Sequence, residues 1–361
     1  MAHTLGILKE KEKKKVDSSS VDAILERQLQ ELALEDDDKM ATTADDRSSL
    51  EREIGPATKL QERFDGDVAR FFKEMFAGQA VQPEPIVQGV REVMSSVLRQ
   101  EQALLGLTLL KQRGGGHHVH AVNVSTLMMI FCKFLGEPVA MTELMGQAGI
   151  FHDLGVTRIP GSILEKETPL SVPEVKVLQT HVHETAGILK EMKIQEGVIQ
   201  RVALEHHERL DGTGYPQRIK GTAISREGRI GAIVNDFENL TGTRPFRKPI
   251  PHHDALRRMM GMADRYYDKV LLQKFVRCVG VYPMGTILRL KNRHVVMVVG
   301  NHATHLLHPI VRVVADSSGR IVTHGQWINL VEKKEDPGYK IEGPTPPPVG
   351  LDLVTLLKKD G

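Results

Sequence analysis

Apolar residues recur at helical spacing through most of the chain, from about residue 64 to residue 279. One clear stretch opens at Pro83 and Pro85 and places its apolar positions three and four residues apart: Ile86, Val87, Val90, Val93, Met94, Val97 and Leu98. Such spacing gives a helix one apolar face. Strand-like alternation of apolar and polar residues is hard to find before residue 280. We therefore predict an all-α helical domain over residues 66–279.

The pattern of apolar residues changes after residue 280. Three runs are rich in β-branched residues, which is typical of strands: residues 286–290, 295–299 and 311–315. The polar segments 291–293 and 316–319 separate such runs and are typical of hairpin turns. These features predict a small β appendage over residues 280–335. Residues 336–361 include the proline-rich segment 344–348 and are predicted to form a tail.

Before residue 66 we expect an N-terminal extension outside the helical domain. Residues 1–17 contain alternating Lys and Glu, which is typical of a solvated tail. Residues 18–34 predict one amphipathic helix from the spacing of their apolar side chains: Val21, Ile24, Leu25, Leu29 and Leu32. Residues 36–46 are acidic and polar and predict a linker. The helix has three candidate partners: its own domain, another protein, or a second copy of the chain.

The charge balance excludes a dominant basic field, because 48 Lys and Arg face 46 Asp and Glu, a formal net charge of +2. Binding of a nucleic-acid duplex through such a field is therefore not expected. The two cysteines, Cys132 and Cys278, are too few for a disulfide framework or a cysteine-based zinc site. No apolar stretch approaches the roughly 20 residues of a membrane span, and no signal-peptide core is visible. We expect a cytoplasmic protein.

Histidines are concentrated in one part of the chain, and eight of the 16 lie between His117 and His207. Four predicted helices carry histidine on their apolar face: His120, His152, His181, and the pair His206 and His207. A single histidine in such a place is more often a core residue than a ligand. Four such helices favour a shared site, because unpaired polar groups in a core cost free energy. Imidazoles with one carboxylate, here Asp153, suit iron, manganese or zinc.

More than four ligands imply more than one metal ion. Asp153 is the natural bridging ligand, because a carboxylate has two oxygens and a neutral imidazole has one free nitrogen. Two metals about 3.5–4 Å apart activate water and neutralise phosphate oxygens in phosphoryl chemistry. The residues thus predict a two-metal site among facing helices.

Residues 206–216 read HHERLDGTGYP, and residues 151–160 read FHDLGVTRIP. The first block resembles the HHExxDGxGYP signature of HD-GYP domains and keeps every defining position. The second contains His152 and Asp153 and resembles the dyad that names the HD superfamily. Three further blocks resemble the family in order and spacing: HAVNVSTL from residue 120, THVHETAGIL around residue 181 and LTGTRPFRKP around residue 244. The resemblance runs from about residue 66 to residue 335.

This resemblance implies an HD-type helical bundle that hydrolyses cyclic di-GMP (c-di-GMP) to pGpG or GMP by metal-activated water. It implies two divalent ions, iron or manganese, held by His120, His152, Asp153, His181, His206, His207 and Asn235. His152 and Asp153 are also the expected catalytic residues. Tyr215, in the GYP loop, is expected near the substrate or a partner domain. Arg244 and Arg247 are expected to bind phosphate through bidentate contacts, with surface salt bridges as the alternative.

Two departures from the family pattern concern charge at the site. Val156 stands where the family's HDxGK lysine would supply a positive charge, and Arg158 is the candidate substitute. Asn235 stands where the ADxYDA-like block, here VNDFEN, would begin with a metal-binding Asp. An amide oxygen can bind a metal but brings no charge, so Asp236 and Glu238 are alternative ligands.

Histidines outside these blocks are expected to have no part in the site. They are His252, His253, His302, His305 and His308, and we predict that they lie on the surface.

Members with three metals carry a Glu four residues before the first histidine. Gly116 occupies that position here, so a third metal is not expected.

Val156 and Asn235 support a second hypothesis, in which a degenerate HD-GYP domain binds a nucleotide or a protein and signals without hydrolysis. The GYP loop resembles surfaces that bind diguanylate cyclase domains, and a homodimer is a further partner hypothesis. Hydrolysis of another nucleotide, as in the wider HD superfamily, is a third hypothesis, and the GYP signature counts against it.

Overall fold

Between residues 44 and 279 the described part of the chain is mainly helical, and a five-stranded sheet follows, which confirms the predicted fold class. The computed structural model describes residues 44–110, 116–243, 248–302, 305–322 and 324–351, with side chains from residue 52. The predicted helix at 18–34 lies outside the described residues, as do Arg244 and Arg247.

The α-helices of the described residues follow one another in chain order. They are α1 Ala44–Phe76, α2 Glu84–Leu110, α3 His117–Phe134, α4 Val139–Phe151, α5 Gly161–Leu164, α6 Val172–Gln179, α7 His181–Glu191, α8 Gly197–Glu205, α9 Arg226–Thr241, α10 His252–Met260 and α11 Lys269–Val279. A 3₁₀ turn, Leu154–Arg158, joins α4 to α5.

Helix α3 lies at the centre of the bundle. All residues from 120 to 132 are buried, and the helix contacts α1, α2, α4, α9 and α11. A helix whose side chains are buried all round needs neighbouring elements on every side, because exposing its apolar residues to water would cost free energy. The first histidine of the candidate site is therefore carried by an element fixed on every side.

Helix α1 extends the helical domain beyond its predicted beginning at residue 66. The helix runs without a break from Ala44 to Phe76, and its buried side chains belong to the main core: Ile54, Ala57, Phe64, Val68, Phe71 and Phe72. Part of the predicted N-terminal extension is thus a core element. The part of this helix before residue 66 was not predicted, because acidic and basic residues cover its other face and obscure the apolar spacing.

The sheet is antiparallel, with strands β1 Ile287–Leu290, β2 Val295–Gly300, β3 Ile310–Ala315, β4 Trp327–Asn329 and β5 Ile341–Pro344 in the order β4-β3-β2-β1-β5. Both of its faces carry buried apolar clusters. The hairpin turn predicted at 291–293 is present, because β1 pairs with β2 across it. The sheet packs closely on the bundle at Gly285, where a Cβ atom would lie 2.0 Å from Leu110 Cδ2.

Strand β5 lies beyond the predicted end of the β appendage at residue 335. It pairs with β1, with Gly343 opposite Arg289, and Thr345 N donates to Ile287 O at 2.9 Å. The proline-rich tail is thus used as an edge strand. Proline is tolerated there because an edge strand leaves half of its backbone donors without a neighbouring strand.

Of the histidines that were predicted to lie on the surface, His302 is an exception. Its side chain is buried, and its Nε2 lies 3.0 Å from Asn329 Oδ1 on β4. The other four are not fully buried. Among the described helices, none has both the length and the apolar character required to cross a bilayer.

Candidate metal centre

The histidines of the candidate site sit at helix ends that converge on one point. His152 directly follows α4, His181 begins α7, and His206 and His207 directly follow α8. His120 lies in the first turn of α3. These positions bring side chains from four parts of the sequence together at one place in the bundle.

Gly155 holds the turn after α4 against α7. A Cβ atom at this position would lie 1.9 Å from His181 O and 2.6 Å from Thr185 N, so only glycine permits the approach. The Gly155 N–H donates to Thr185 Oγ1 at 2.8 Å, and that hydroxyl in turn donates to His181 O. The backbone that carries Asp153 is thereby fixed directly beside the backbone that carries His181.

The Asp153 carboxylate lies between two groups of imidazoles. Its Oδ1 lies 3.0 Å from His181 Nε2 and 3.8 Å from His206 Nε2, and its Oδ2 lies 3.9 Å from His120 Nε2. The Nε2 atoms of His120 and His152 are 3.2 Å apart. Two sets of possible ligand atoms result, each within 4.8 Å, and both include Asp153: one with His181, His206 and His207, the other with His120 and His152.

Several polar atoms of this centre are buried and have no hydrogen-bond partner among the described residues. They are both carboxylate oxygens of Asp153 and the Nε2 atoms of His181, His206 and His207. Buried polar atoms are normally hydrogen-bonded, so such a cluster requires another explanation. Metal ions would satisfy all of these atoms at once, and the donor set of imidazoles and one carboxylate fits divalent transition metals.

The outer ring nitrogens of three histidines bond to backbone carbonyl groups. His152 Nδ1 lies 2.9 Å from Gly149 O, His181 Nδ1 2.6 Å from Leu178 O, and His206 Nδ1 3.0 Å from Val202 O. A proton on Nδ1 donates to each carbonyl and leaves Nε2 with a lone pair toward the centre. Local helix geometry thus sets the tautomer, because each carbonyl lies three or four residues earlier in the chain.

The electrostatics favour neutral imidazoles beside an ionised carboxylate. Burial lowers the pKa of His152 to about 4 and holds the pKa of His206 and of His207 well below the usual value. Burial would raise the pKa of Asp153, but the positive charge that protonated imidazoles carry, that of His181 first, and a hydrogen bond from His181 bring it well below its usual value. These protonation states are the ones that a metal site requires.

His120 differs from the other histidines, because its outer nitrogen faces a carboxylate. Its Nδ1 is hydrogen-bonded to Glu238 on α9, and Asn123 Nδ2 donates to the other Glu238 oxygen at 3.1 Å. Glu238 is 3% exposed. Glu238 was predicted from the sequence only as an alternative metal ligand, and its contact with His120 was not predicted. A buried carboxylate on the outer nitrogen orients a ligating imidazole and increases its basicity.

Substituting Glu238 by Gln is expected to weaken Mn²⁺ binding by about 10–100-fold, the usual cost of losing such an outer contact. The amide keeps the shape of the side chain but removes the charge that orients His120. Titration calorimetry of the metal-free protein measures the effect. Glu342→Gln, on the edge strand β5, is the matched control, and equal affinities of the two variants would contradict the assigned role of Glu238.

The Asn235 side chain lies on the face of α9 that adjoins the centre. One turn earlier, a Cβ atom at Gly231 would lie 3.5 Å from His206 Cβ. Asn235 is fully buried, its Oδ1 accepts from Asn239 Nδ2 at 3.0 Å, and its Nδ2 has no partner among the described residues. Asp236, the other alternative ligand, is paired elsewhere, 2.7 Å from an Arg209 nitrogen.

The GYP loop packs directly on the histidine pair. The Tyr215 ring stacks on His207 with a centroid distance of 4.5 Å and an interplanar angle of 23°. Its hydroxyl is buried without a partner among the described residues. Burial and the negative charge of Asp153 raise the pKa of Tyr215 well above the usual value, so the hydroxyl keeps its proton.

A buried ion pair anchors this loop on α9, and it was not predicted from the sequence. The Arg209 side chain is 3% exposed and lies 2.7 Å from Asp236, which also accepts from the Tyr267 hydroxyl at 2.6 Å. The guanidinium lies over the Tyr267 ring, 5.6 Å from its centroid. Arg209 is two residues after His207, so this network fixes the loop immediately after the histidine pair.

Arg158, the candidate substitute for the family's lysine, contacts carboxylates, and Val156, at the lysine position, is buried. Arg158 is bound by two carboxylates of α7, at 3.2 Å from Glu184 and 2.6 Å from Glu191. Val156 is 1% exposed and packs in the main core. The structure therefore provides no direct support for Arg158 as the substitute for the family lysine.

A cleft of about 660 Å³ lies between the helical bundle and the sheet. Asn123 and Glu238 line it beside the metal centre, and Ile287 lines it from the sheet. Thr243 and Pro249 also line it, and they border the segment 244–247, which lies outside the described residues. The phosphate contacts of Arg244 and Arg247 accordingly stay predictions.

Several known proteins are similar in sequence to this chain. A family model described as HD domain matches residues 93–271. The cyclic di-GMP phosphodiesterase PA4108 of Pseudomonas aeruginosa is 32% identical over 284 residues, which cover 79% of this chain and 68% of the relative. The 3'3'-cGAMP-specific phosphodiesterase 1 of Vibrio cholerae is 34% identical over 159 residues, 44% of this chain and 35% of the relative.

A further relative is the cyclic di-GMP phosphodiesterase response regulator RpfG of Xanthomonas campestris. It is 29% identical over 46% of this chain and 45% of its own length. Among solved structures, Bd1817 of Bdellovibrio bacteriovorus, an HDG"Y"P protein, has a TM-score of 0.52 at 16% identity, covering 72% of this chain and 79% of that one. This likeness concerns the fold. With the GYP signature, the HD dyad and the Pseudomonas relative, the chain belongs to the HD-GYP family.

Proposed function

We propose that this chain is a metal-dependent phosphodiesterase that hydrolyses the cyclic dinucleotide c-di-GMP to pGpG or GMP. The observation that carries the proposal is the buried carboxylate of Asp153, which is shared by two groups of imidazoles. The relatives described above are named as phosphodiesterases of c-di-GMP or of 3'3'-cGAMP.

The donor set suits two divalent ions of iron or manganese, with Asp153 as the shared ligand. Bound ions of this kind activate water and offset the charge on phosphate oxygens. The chain itself holds five buried imidazoles in fixed orientations and keeps the carboxylate ionised. His120, His152, His181, His206, His207 and Asn235 are the proposed remaining ligands.

The stacked Tyr215 is proposed to form one wall of the substrate site. Its protonated hydroxyl lies beside the imidazoles and has no partner among the described residues, so it is suited to donate a hydrogen bond to a phosphate oxygen. Arg244 and Arg247 are proposed to contact phosphate as well.

A second candidate function is signalling by a catalytically degenerate domain, and Val156 favours it. A buried valine offers no charge where the family pattern has lysine, and Arg158 is already bound by Glu184 and Glu191. Such a domain would keep its metal ions for structure. Diguanylate cyclase domains at the GYP loop, or a second copy of the chain, are the proposed partners in that case.

The test is an assay of c-di-GMP hydrolysis by full-length protein that is purified without oxygen and supplied with Fe²⁺ or Mn²⁺. Products are read by chromatography, metal content is measured on the same sample, and 3'3'-cGAMP is assayed in parallel. Formation of pGpG or GMP, lost in His152→Ala, supports the enzyme. Full metal occupancy without turnover of either dinucleotide would refute it and leave the signalling function.

A further inference from the structure

Asn235 lies between two contacts that α9 makes with the metal centre. Gly231, four residues earlier, faces His206, and Glu238, three residues later, is hydrogen-bonded to His120. Residues at these spacings share one side of a helix. The Asn235 side chain is therefore aimed at the same centre, from a position where it is fully buried.

A second amide accompanies it one helical turn later. Asn239 is also buried, at 4% exposure, and its side chain lies 3.0 Å from that of Asn235. Asn235 Nδ2 is left without a partner among the described residues. The oxygen and nitrogen ends of an amide are nearly the same in shape. Turning both amides over therefore keeps the hydrogen bond, with Asn235 Nδ2 as donor and Asn239 Oδ1 as acceptor.

The turned arrangement directs the carbonyl oxygen of Asn235 to the place that its unpartnered nitrogen otherwise occupies. Only the oxygen of an amide can bind a cation. We propose that Asn239 is a positioning residue, which holds the Asn235 amide with its oxygen toward the metal centre. This inference rests on the proposed metal-dependent function and deepens it.

The sequence of the block gives a physical reason for the pair. Residues 234–239 read VNDFEN where the family pattern is ADxYDA, so asparagine replaces both the Asp at position 235 and the Ala at position 239. A carboxylate can bind a metal through either oxygen and needs no partner to orient it. An amide has one oxygen, and an adjacent hydrogen-bonding group decides which end faces the metal.

Mn²⁺ binding to the full-length, metal-free protein tests the proposal without any substrate. Asn239→Ala is expected to weaken the weaker Mn²⁺ site by about 10–100-fold in titration calorimetry. In a chain that carries Asn235→Asp, the same Asn239→Ala change is expected to cost less than about threefold, because the carboxylate needs no orientation. Equal losses in the two backgrounds, or no loss in either, would overturn the proposal.

A second variant keeps the test decisive if Asn239→Ala folds poorly, which thermal unfolding in EDTA reveals. Asn239→Asp can only accept from Asn235 Nδ2, so Mn²⁺ binding is expected to be retained. Adding Asn235→Ala should then abolish binding at that site. Retained binding in the double variant would mean that the introduced carboxylate is itself a ligand, and the orienting role would be refuted.

The outcomes separate this inference from the proposed function. Two bound Mn²⁺ ions without hydrolysis would refute the phosphodiesterase and leave the role of Asn239 intact. Hydrolysis with a Mn²⁺ affinity that is independent of Asn239 would refute the positioning role alone. A wild-type chain that binds no Mn²⁺ would overturn both.

Discussion

Asp153→Asn is expected to lower the turnover of c-di-GMP by at least about 10³-fold and to abolish stable binding of two Mn²⁺ ions. The carboxylate is the one group shared by both sets of ligand atoms, at 3.0 Å from His181 and 3.9 Å from His120. Metal ions contribute several kcal/mol to such reactions, and each 1.36 kcal/mol corresponds to a factor of about ten in rate. An amide cannot replace the bridging charge.

The measurement combines initial rates with metal analysis of the same samples. Asp316→Asn, in the turn after β3, is a matched control, because it makes the same chemical change outside the metal centre. That variant should keep the wild-type rate and metal content. A rate for Asp153→Asn within about tenfold of wild type would show that the reaction does not depend on the shared carboxylate.

Arg209→Leu is expected to lower the free energy of unfolding by about 3 kcal/mol. Removing one partner of a buried ion pair costs about 3–5 kcal/mol, because the other charge stays buried without compensation. The lower end of this range applies to Arg209→Leu, because the Asp236 side chain is 16% exposed and still accepts a hydrogen bond from Tyr267. The loop that carries Tyr215 loses its anchor on α9 in the same step.

Urea unfolding of the metal-free protein measures this effect separately from metal binding. Arg265→Ala is the control, because it removes an arginine that contacts the same loop at Asp211, over 3.3 Å, with 65% of its side chain exposed. Exposed pairs contribute at most about 1 kcal/mol. Losses of equal size in the two variants would contradict the importance of burial.

The family's chemistry was visible in the sequence because it depends on residues that are close together along the chain. The block at residues 206–216, the HD dyad and the histidines on apolar helix faces predicted a shared centre, and the structure brings these histidines to within a few ångströms of Asp153. The helical domain followed from apolar periodicity, and the first three strands followed from runs of β-branched residues separated by polar turns. Roles of individual residues stay predictions, those of Arg244 and Arg247 among them.

Contacts between distant segments were not visible in the same way. Glu238 meets His120 across 118 positions of the chain, and strand β5 meets β1 across a gap of more than 50 residues. The residue type alone does not identify such pairs. A polar residue on a charged helix such as α1 or α9 is as typical of an exposed side chain as of a buried one with a partner.

The sequence by itself thus determined the family, the helices and the set of residues that could bind metal. The tertiary structure decided which side chains surround them: Glu238 behind His120, Asn239 beside Asn235, and Arg209 paired with Asp236. The physical reason is that local periodicity fixes which face of an element is apolar. Only the packing of elements decides which buried polar group finds which partner.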